Sequence, residues 1–238
     1  MKEKTVCWLS GGVSSFICGY LCRNVIDEYI YIDIENQHID TYRFLKDCEK
    51  VLNKSIIFLK SPYINVQNCI KTSGVIKMPS GYAPCTNWLK KRVRKEWEEQ
   101  NKDYNITYVW GFDKNEQARK ERLEESMPHF KHLFPLIENN LSKEEAHAIL
   151  DKLNIKRPIM YDLGYPNNNC IGCIKGGMGY WNKIRVDFPV VFEEYSKLER
   201  KIGHSILKEC YLDELDPERG RNKIIVPSCG INCQLMNI

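Results

Sequence analysis

The sequence predicts an α/β protein with a doubly wound, mainly parallel sheet and a cysteine-rich C-terminal segment. Three observations carry this. Apolar runs of strand length alternate with stretches of helical spacing, the pattern of parallel strands joined by crossover helices. The first such run, from Thr5 to Leu9, passes through Gly11 and Gly12 into a stretch led by Ser14 and Ser15, so a sharp glycine turn joins strand to helix. After Tyr165 the regular patterning thins into a segment rich in Cys, Gly and Asn.

The elements follow in order. The first strand precedes a helix over residues 16–24, and Tyr29-Ile-Tyr-Ile-Asp-Ile34 supplies a second strand. Apolar spacing makes 39–52 helical, and 55–59 is a third strand. A loop rich in Gly, Pro and Ser (72–84) leads into a long basic helix over 86–100. A fourth strand, 106–110, ends at Gly111; a charged helix covers 115–126 and a short strand 133–137. Ser142-Lys-Glu-Glu145 is a capping box opening a helix that runs to Leu153. Beyond Tyr165 one helix is predicted, over 188–202, followed by an irregular tail.

At 238 residues the chain can bury a full core, and 43% hydrophobic with 28% charged residues describes an ordinary globular composition. No apolar run reaches membrane-spanning length and the N-terminus lacks a signal-peptide core, so a cytoplasmic location is expected. A net charge of +4 is too small to argue for nucleic acid by itself. Eleven cysteines in a reducing compartment read as metal ligands, redox groups or core residues rather than disulfides. Cys7, Cys18, Cys22, Cys48, Cys69 and Cys210 sit among apolar residues and read as core. Cys85, Cys170, Cys173, Cys229 and Cys233 stand beside Pro, Asn or Gly and are the candidates for chemistry.

Ser10, Gly11, Gly12, Ser14 and Ser15 form a turn whose free amides, at the positive end of a helix, suit an anion; the bland alternative is a serine-capped turn. Glu116 and Arg119 open a helix after Gly111, where Arg119 can meet a phosphate or sulfate or pair locally with Glu116. Lys90, Lys91, Arg92, Arg94 and Lys95 form a charge run between Trp88 and Trp97, either a solvated helix face or a carrier of nucleic-acid backbone. Cys170 and Cys173 are spaced to reach one metal, as in zinc and iron–sulfur sites. Cys229 and Cys233 are a looser pair open to metal ligation or disulfide exchange. The five histidines show no metal spacing and no triad.

Taken in order, several pieces resemble the phosphoadenosine-phosphosulfate (PAPS) reductase family, within the larger group of PP-loop ATP pyrophosphatases. They are Ser10-Gly-Gly-Val-Ser-Ser15, Cys85-Thr-Asn-Trp-Leu-Lys90, Gly111 through Glu116 to Arg119, and Phe134-Pro-Leu-Ile137. Pro158-Ile-Met-Tyr-Asp-Leu-Gly-Tyr165 then runs into Cys170 and Cys173, and Ser228-Cys-Gly-Ile-Asn232 is similar to the tail that carries a catalytic cysteine in these reductases. Departures accompany the match. Ser-Gly-Gly is the loop form of enzymes that cleave ATP between its α and β phosphates, and those often carry Asp where this chain has Ser14. A magnesium-holding carboxylate is then missing or supplied elsewhere, with Asp33, Glu35 and Asp113 as candidates. Thr86 stands where iron–sulfur members have a second adjacent cysteine, and Asn232 replaces the tail's histidine.

The resemblance implies a nucleotide-binding unit over 1–165, with a cysteine-bearing segment over 166–238 packed on the same core. It implies nucleotide binding by Ser10, Gly11, Gly12, Ser14, Ser15, Asp33, Gly111 and Glu116, with Lys90, Arg119 and Cys229 as catalytic groups. Cys85, Cys170, Cys173 and Cys233 would hold a 4Fe-4S cluster, or zinc in its place; Cys229 and Cys233 compete for the fourth position. Three activities are expected in turn. The first is an ATP-dependent, Mg2+-requiring sulfur transferase acting on nucleic acid or nucleotide. The second is a reductase of adenylyl sulfate or PAPS that releases sulfite. The third is a non-enzymatic nucleotide-binding partner stitched by zinc. The expected partners are an adenine nucleotide, a nucleic acid acceptor, a sulfur-donor protein or thiol reductant, and a second copy of the chain, with no membrane.

Overall fold

The structure, a computed structural model, describes residues 2–78 and 83–220. In chain order the elements are β1 (Lys2–Leu9), α1 (Val13–Leu21), β2 (Glu28–Asp33), α2 (Asp40–Leu52), β3 (Ile56–Lys60) and α3 (Val66–Ser73). A helical turn α4 (Pro84–Thr86), a π-helical turn (Asn87–Lys91) and α5 (Arg92–Gln100) follow without a break. Then come β4 (Tyr104–Val109), α6 (Gln117–Ser126), β5 (Lys131–Leu133), α7 (Pro135–Glu138), α8 (Lys143–Lys152) and α9 (Ile159–Asp162). The helices α10 (Met178–Asp187) and α11 (Pro189–Ile202) precede a 3-10 turn at Leu212–Glu214.

All strand pairings are parallel, in the order β3-β2-β1-β4-β5. Alternation along the strands feeds two cores. Val6, Trp8, Ile30, Ile32, Tyr108 and Trp110 face the layer of α3, α5, α6, α10 and α11. Cys7, Leu9, Tyr29, Tyr31 and Val109 face α1, α2 and α8. Helices therefore cover both faces, as the strand–helix alternation requires. Residues from both sides of position 165 share the first core: Trp181, Ile184 and Tyr195 pack in one cluster with Val6 and Ile30. The chain leaves β1 toward β2 on one side and returns to β4 on the other. That reversal opens a crevice beyond the carboxyl ends of β1 and β4.

Several expectations are corrected. The predicted strand at 133–137 is β5 ending at Leu133, followed by the helical turn α7. Pro135 has no N–H to continue the ladder and suits the first turn of a helix. Besides the short turn α9, two helices of eight residues or more were not anticipated. One is α3, whose N-cap Asn65 accepts from the Asn68 amide at 2.8 Å; the other is α10, hidden behind Gly176 and Gly177. The basic helix is not one α-helix with a solvated cationic face. Its π-helical turn adds a residue to one turn and swings the remainder of the helix about its axis. Lys91 and Arg94 are buried at 9% and 2% exposure, leaving Arg92 and Lys95 outside, with Arg92 set against Glu96 at 3.6 Å. Among the described residues no helix is long and apolar enough to cross a membrane.

Candidate functional site

The crevice at the sheet's switch point is a cavity of about 400 Å³. Its loop end is built by Ser10–Ser15. Gly11 adopts φ +77°, and a Cβ there would lie 2.8 Å from Thr41 Cγ2, so the turn needs glycine on both counts. Ser15 fastens the loop: its Oγ accepts from the Ser10 amide at 3.0 Å and donates to the Gly12 carbonyl at 2.9 Å. Gly12 is the N-cap of α1 and supplies no side-chain cap, so the serine-capped reading does not apply at that position. Instead the Tyr161 hydroxyl reaches over from α9 and accepts from the Val13 amide at 3.3 Å. Burial raises the Tyr161 pKa, while hydrogen bonds from the Val13 and Asn168 amides oppose the rise. On the far side β4 approaches so closely that a Cβ on Gly111 would lie 2.7 Å from Ser15 Cα.

Ser10, Gly12, Ser14, Ser15, Lys90, Gly111, Glu116 and Arg119 all line this cavity. Arg119 pairs with Glu116 at 2.5 Å, the local partner its spacing allowed, and its guanidinium lies 4.2 Å from the centre of the Phe112 ring. Asp33 is not among the lining residues; it is bound by Tyr42 Oη at 2.5 Å and Lys60 at 3.1 Å at the edge of the sheet. The carboxylates that do line the cavity are Asp113 and Glu116.

Other lining residues were not anticipated. Lys143 opens α8 and donates to the Pro166 carbonyl and, at 2.7 Å, to Asn167 Oδ1. Burial lowers its pKa, opposed by the nearby carboxylates Asp113, Glu116 and Glu144. Asn168 Nδ2 donates to the Gly11 carbonyl at 2.7 Å and to Thr41 Oγ1 at 3.0 Å, tying the C-terminal segment to the loop. Trp8, Trp110 and Phe112 give the cavity an aromatic wall. The asparagine run at 167–169 was visible in the sequence only as turn-forming composition.

A second, smaller cavity of about 20 Å³ abuts the first. Cys85, Cys170 and Cys173 line it among Ile34, Val66, Leu89 and Ile174, while Lys90 and Asn169 line both cavities. Cys85 and the Cys170–Cys173 segment, distant from each other in sequence, thus line one pocket beside the larger cavity. Tyr180 braces that segment, its hydroxyl accepting from the Cys173 amide at 2.8 Å and donating to the Cys170 carbonyl at 3.1 Å. Thiolates are the donor type of zinc and iron–sulfur sites. The space admits about one atom, however. Among the described residues no group of three or more His, Cys, Asp or Glu side chains is set to hold a metal ion. The described residues do not by themselves make a four-iron site. Cys229 and Cys233 lie outside the described residues.

No protein-family model matches the chain. Over 209 residues it is 23% identical to an uncharacterized protein of Methanocaldococcus jannaschii, covering 84% of this chain and 42% of that protein. The chain therefore spans less than half the length of this curated relative. Among solved structures it is similar to phosphoadenylyl-sulfate (PAPS) reductase from Candida auris, determined as a phosphate complex. The TM-score is 0.53 and the identity 14%, over 71% of this chain and 81% of that one.

Proposed function

We propose that this PAPS reductase-like fold serves an ATP-dependent sulfur transferase, which adenylylates a nucleic acid or nucleotide acceptor, releases pyrophosphate and then inserts sulfur. The observation that carries the reading is the shared wall: Lys90 and Asn169 border both the nucleotide-sized cavity and the pocket of thiols. Nucleotide chemistry and sulfur chemistry need such adjacency, because the activated acceptor must meet sulfur before water does.

In this reading the polyphosphate lies against the amides and serines of the Ser10–Ser15 loop. An acceptor oxygen attacks the α-phosphorus, the bond to the bridging oxygen breaks, and pyrophosphate leaves. Lys90, Arg119 and Lys143, fixed before the reaction, offset its charge. Magnesium would travel with ATP, and Asp113 and Glu116 are the carboxylates available to it. Sulfur at the oxidation level of sulfide then forms a bond to the activated carbon as the carbon–oxygen bond to AMP breaks, with no net electron transfer. A sulfur-donor protein supplies it. Cys85, Cys170 and Cys173, with Cys233, would hold zinc or an iron–sulfur cluster, which supplies a site for sulfide when bound. In the alternative route Cys229 would carry the donor's sulfur as a persulfide: its outer sulfur bonds to the carbon as AMP leaves, a second thiol opens the resulting S–S bond, and a thiol reductant reduces the disulfide left behind.

The Candida auris neighbour favours a second reading, reduction of adenylyl sulfate or PAPS. There a Cys229 thiolate would attack sulfur and displace the nucleotide. A second thiol would then release sulfite, leaving a disulfide for a thiol reductant to open. Product analysis on the anaerobically purified protein separates the readings. Pyrophosphate and AMP from ATP, with sulfur in the acceptor, support the first, and sulfite from a sulfonucleotide replaces it with the second. Zinc-containing, colourless protein that turns over neither nucleotide would leave a binding module.

A further inference from the structure

We propose that the acceptor is a single strand of nucleic acid and that it docks on the surface formed by Tyr63, Ile64, Trp88 and Arg92, a base stacking on the aromatic pair while Arg92 and Lys95 meet phosphates. This rests on the transferase reading above and narrows its acceptor from a nucleotide or nucleic acid to a strand.

Tyr63 and Trp88 are half-buried, packed in part against the core and in part open to solvent. Their rings lie against each other, with centroids 4.4 Å apart and planes 32° from parallel. One buried side chain fixes both backbones: Ser61 Oγ donates to the Trp88 carbonyl at 2.8 Å and accepts from the Tyr63 amide at 3.2 Å. Beside Tyr63, Ile64 is 43% exposed and adopts φ +65°, a conformation that β-branched side chains avoid. Its amide donates to the Ser61 carbonyl at 3.0 Å and its carbonyl accepts from the Glu35 amide at 3.3 Å, which hold it there. Burial of the side chain does not offset that strain, and strain of this kind gathers at surfaces that meet a ligand.

Cations flank the rings. Arg92 is exposed at the start of α5, with Nη1 3.5 Å from the Tyr63 hydroxyl, and Lys95 is exposed three residues on, along the same helical face. Arg92 also meets Glu96 at 3.6 Å, but both side chains of that pair are more than half exposed, so a phosphate can replace the carboxylate. Adjoining aromatic rings beside cations hold single-stranded nucleic acid, because every base offers a π face and the backbone offers charge. A duplex keeps its bases stacked inside and offers this surface only phosphates. The location suits an acceptor. Trp88 shares the π-helical turn with Leu89 and Lys90, which line the thiol pocket, and Tyr63 lies three residues before Val66, which lines it from α3. The surface therefore adjoins that pocket through two separate elements, and Lys90 continues from it into the nucleotide cavity.

Fluorescence anisotropy with short labelled RNA and DNA, each as single strand and duplex, tests the assignment on the full chain. Wild-type protein should bind single strands more tightly than duplexes of the same sequence. Trp88→Ala should weaken single-strand binding about tenfold, the loss of one stacked base. Its ATP affinity by calorimetry should match wild type, since Trp88 does not line the nucleotide cavity; a merely structural Trp88 would move both. Arg92→Ala should lower the slope of log affinity against log salt by about 0.7, one phosphate contact on a single strand. Equal single-strand affinities of Trp88→Ala and wild type overturn the proposal, as does duplex bound as tightly as single strand. Should Trp88→Ala fail to fold, Arg92→Ala decides, and an unchanged salt slope overturns it. Wild-type protein that binds no oligonucleotide overturns it too, and a wild-type dimer that Trp88→Ala dissociates would give the surface to a second copy of the chain. Sulfite release from a sulfonucleotide removes the transferase reading itself; that assay contains no strand, so the two failures are told apart.

Discussion

Tyr161 takes hydrogen bonds from the amides of Val13 and Asn168, one at the start of α1 and the other beside the thiols. One phenol oxygen thus joins the phosphate loop to the segment that carries Cys170. Tyr161→Phe would strand two backbone donors and should cost about 1–3 kcal/mol of stability, read by urea unfolding. A variant as stable as wild type would show that water replaces the phenol there. His132 makes a prediction of opposite character. Its Nδ1 accepts from Trp110 Nε1 at 3.0 Å and its Nε2 donates to the Met127 carbonyl at 3.0 Å, so the pairing requires the neutral ring. Burial lowers its pKa below the ordinary 6.5, while the Met127 hydrogen bond opposes the shift. With the folded pKa depressed, the unfolded chain takes up the proton first as pH falls. Stability should therefore decline below about pH 6.5, and the loss should continue until the folded-state pKa is reached. Urea midpoints measured from pH 7.5 down to 5 should show a smaller decline in His132→Asn than in wild type.

At the scale of elements, the first turn of α1 is set by how closely β4 approaches it. A Cβ on Gly111 would meet Ser15 backbone atoms at 2.7 and 2.8 Å, and backbone cannot step aside as a flexible side chain can. Gly111→Ala should push the loop off the sheet edge, destabilising the protein by about 1–3 kcal/mol and weakening nucleotide binding more than Ser14→Ala does. Calorimetric titration beside thermal melts tests both, and equal affinities in the two variants would reject the steric account. The glycine turn was legible because strand, glycine and serine occur in the order the geometry needs. The π-helical turn at Asn87–Lys91 was not, because helical spacing assumes a constant 3.6 residues per turn and one wide turn rotates every later residue. Arg94 and Lys91 accordingly read as surface and lie inside, while Lys90 lines the cavity wall. The strand misread at 133–137 has a similar origin: apolar content matched a strand, and a single proline outweighed it.

For the whole molecule, the strand order brings the carboxyl ends of β1 and β4 together, and the segment after α9 closes the resulting crevice. The sequence placed Ser10, Gly12, Ser14, Ser15, Gly111, Glu116 and Arg119 by their positions after strands, and those residues line one cavity, whereas Gly11 shapes the turn without lining it. It could not place Asp33, whose position at a strand end is the same in kind but whose side chain is held by Tyr42 and Lys60. Lys143 and Asn168 went unread, and Tyr161 was read only as part of the Pro158–Tyr165 match, because their roles arise from packing between segments distant in sequence, which no local pattern encodes. The two-cavity arrangement makes a claim about separability. If the thiols serve the sulfur step alone, Cys170→Ala should leave ATP affinity within about twofold of wild type, since Lys90 and Asn169 stand between Cys170 and the loop. Sulfur incorporation should fall to background, and any bound metal or sulfide should fall with it. Lys90→Ala belongs to the shared wall and should impair both pyrophosphate release and sulfur incorporation. A Cys170→Ala protein that loses ATP binding while its melting temperature holds would place the thiols inside the nucleotide site, and the division of labour between the two cavities would have to be abandoned.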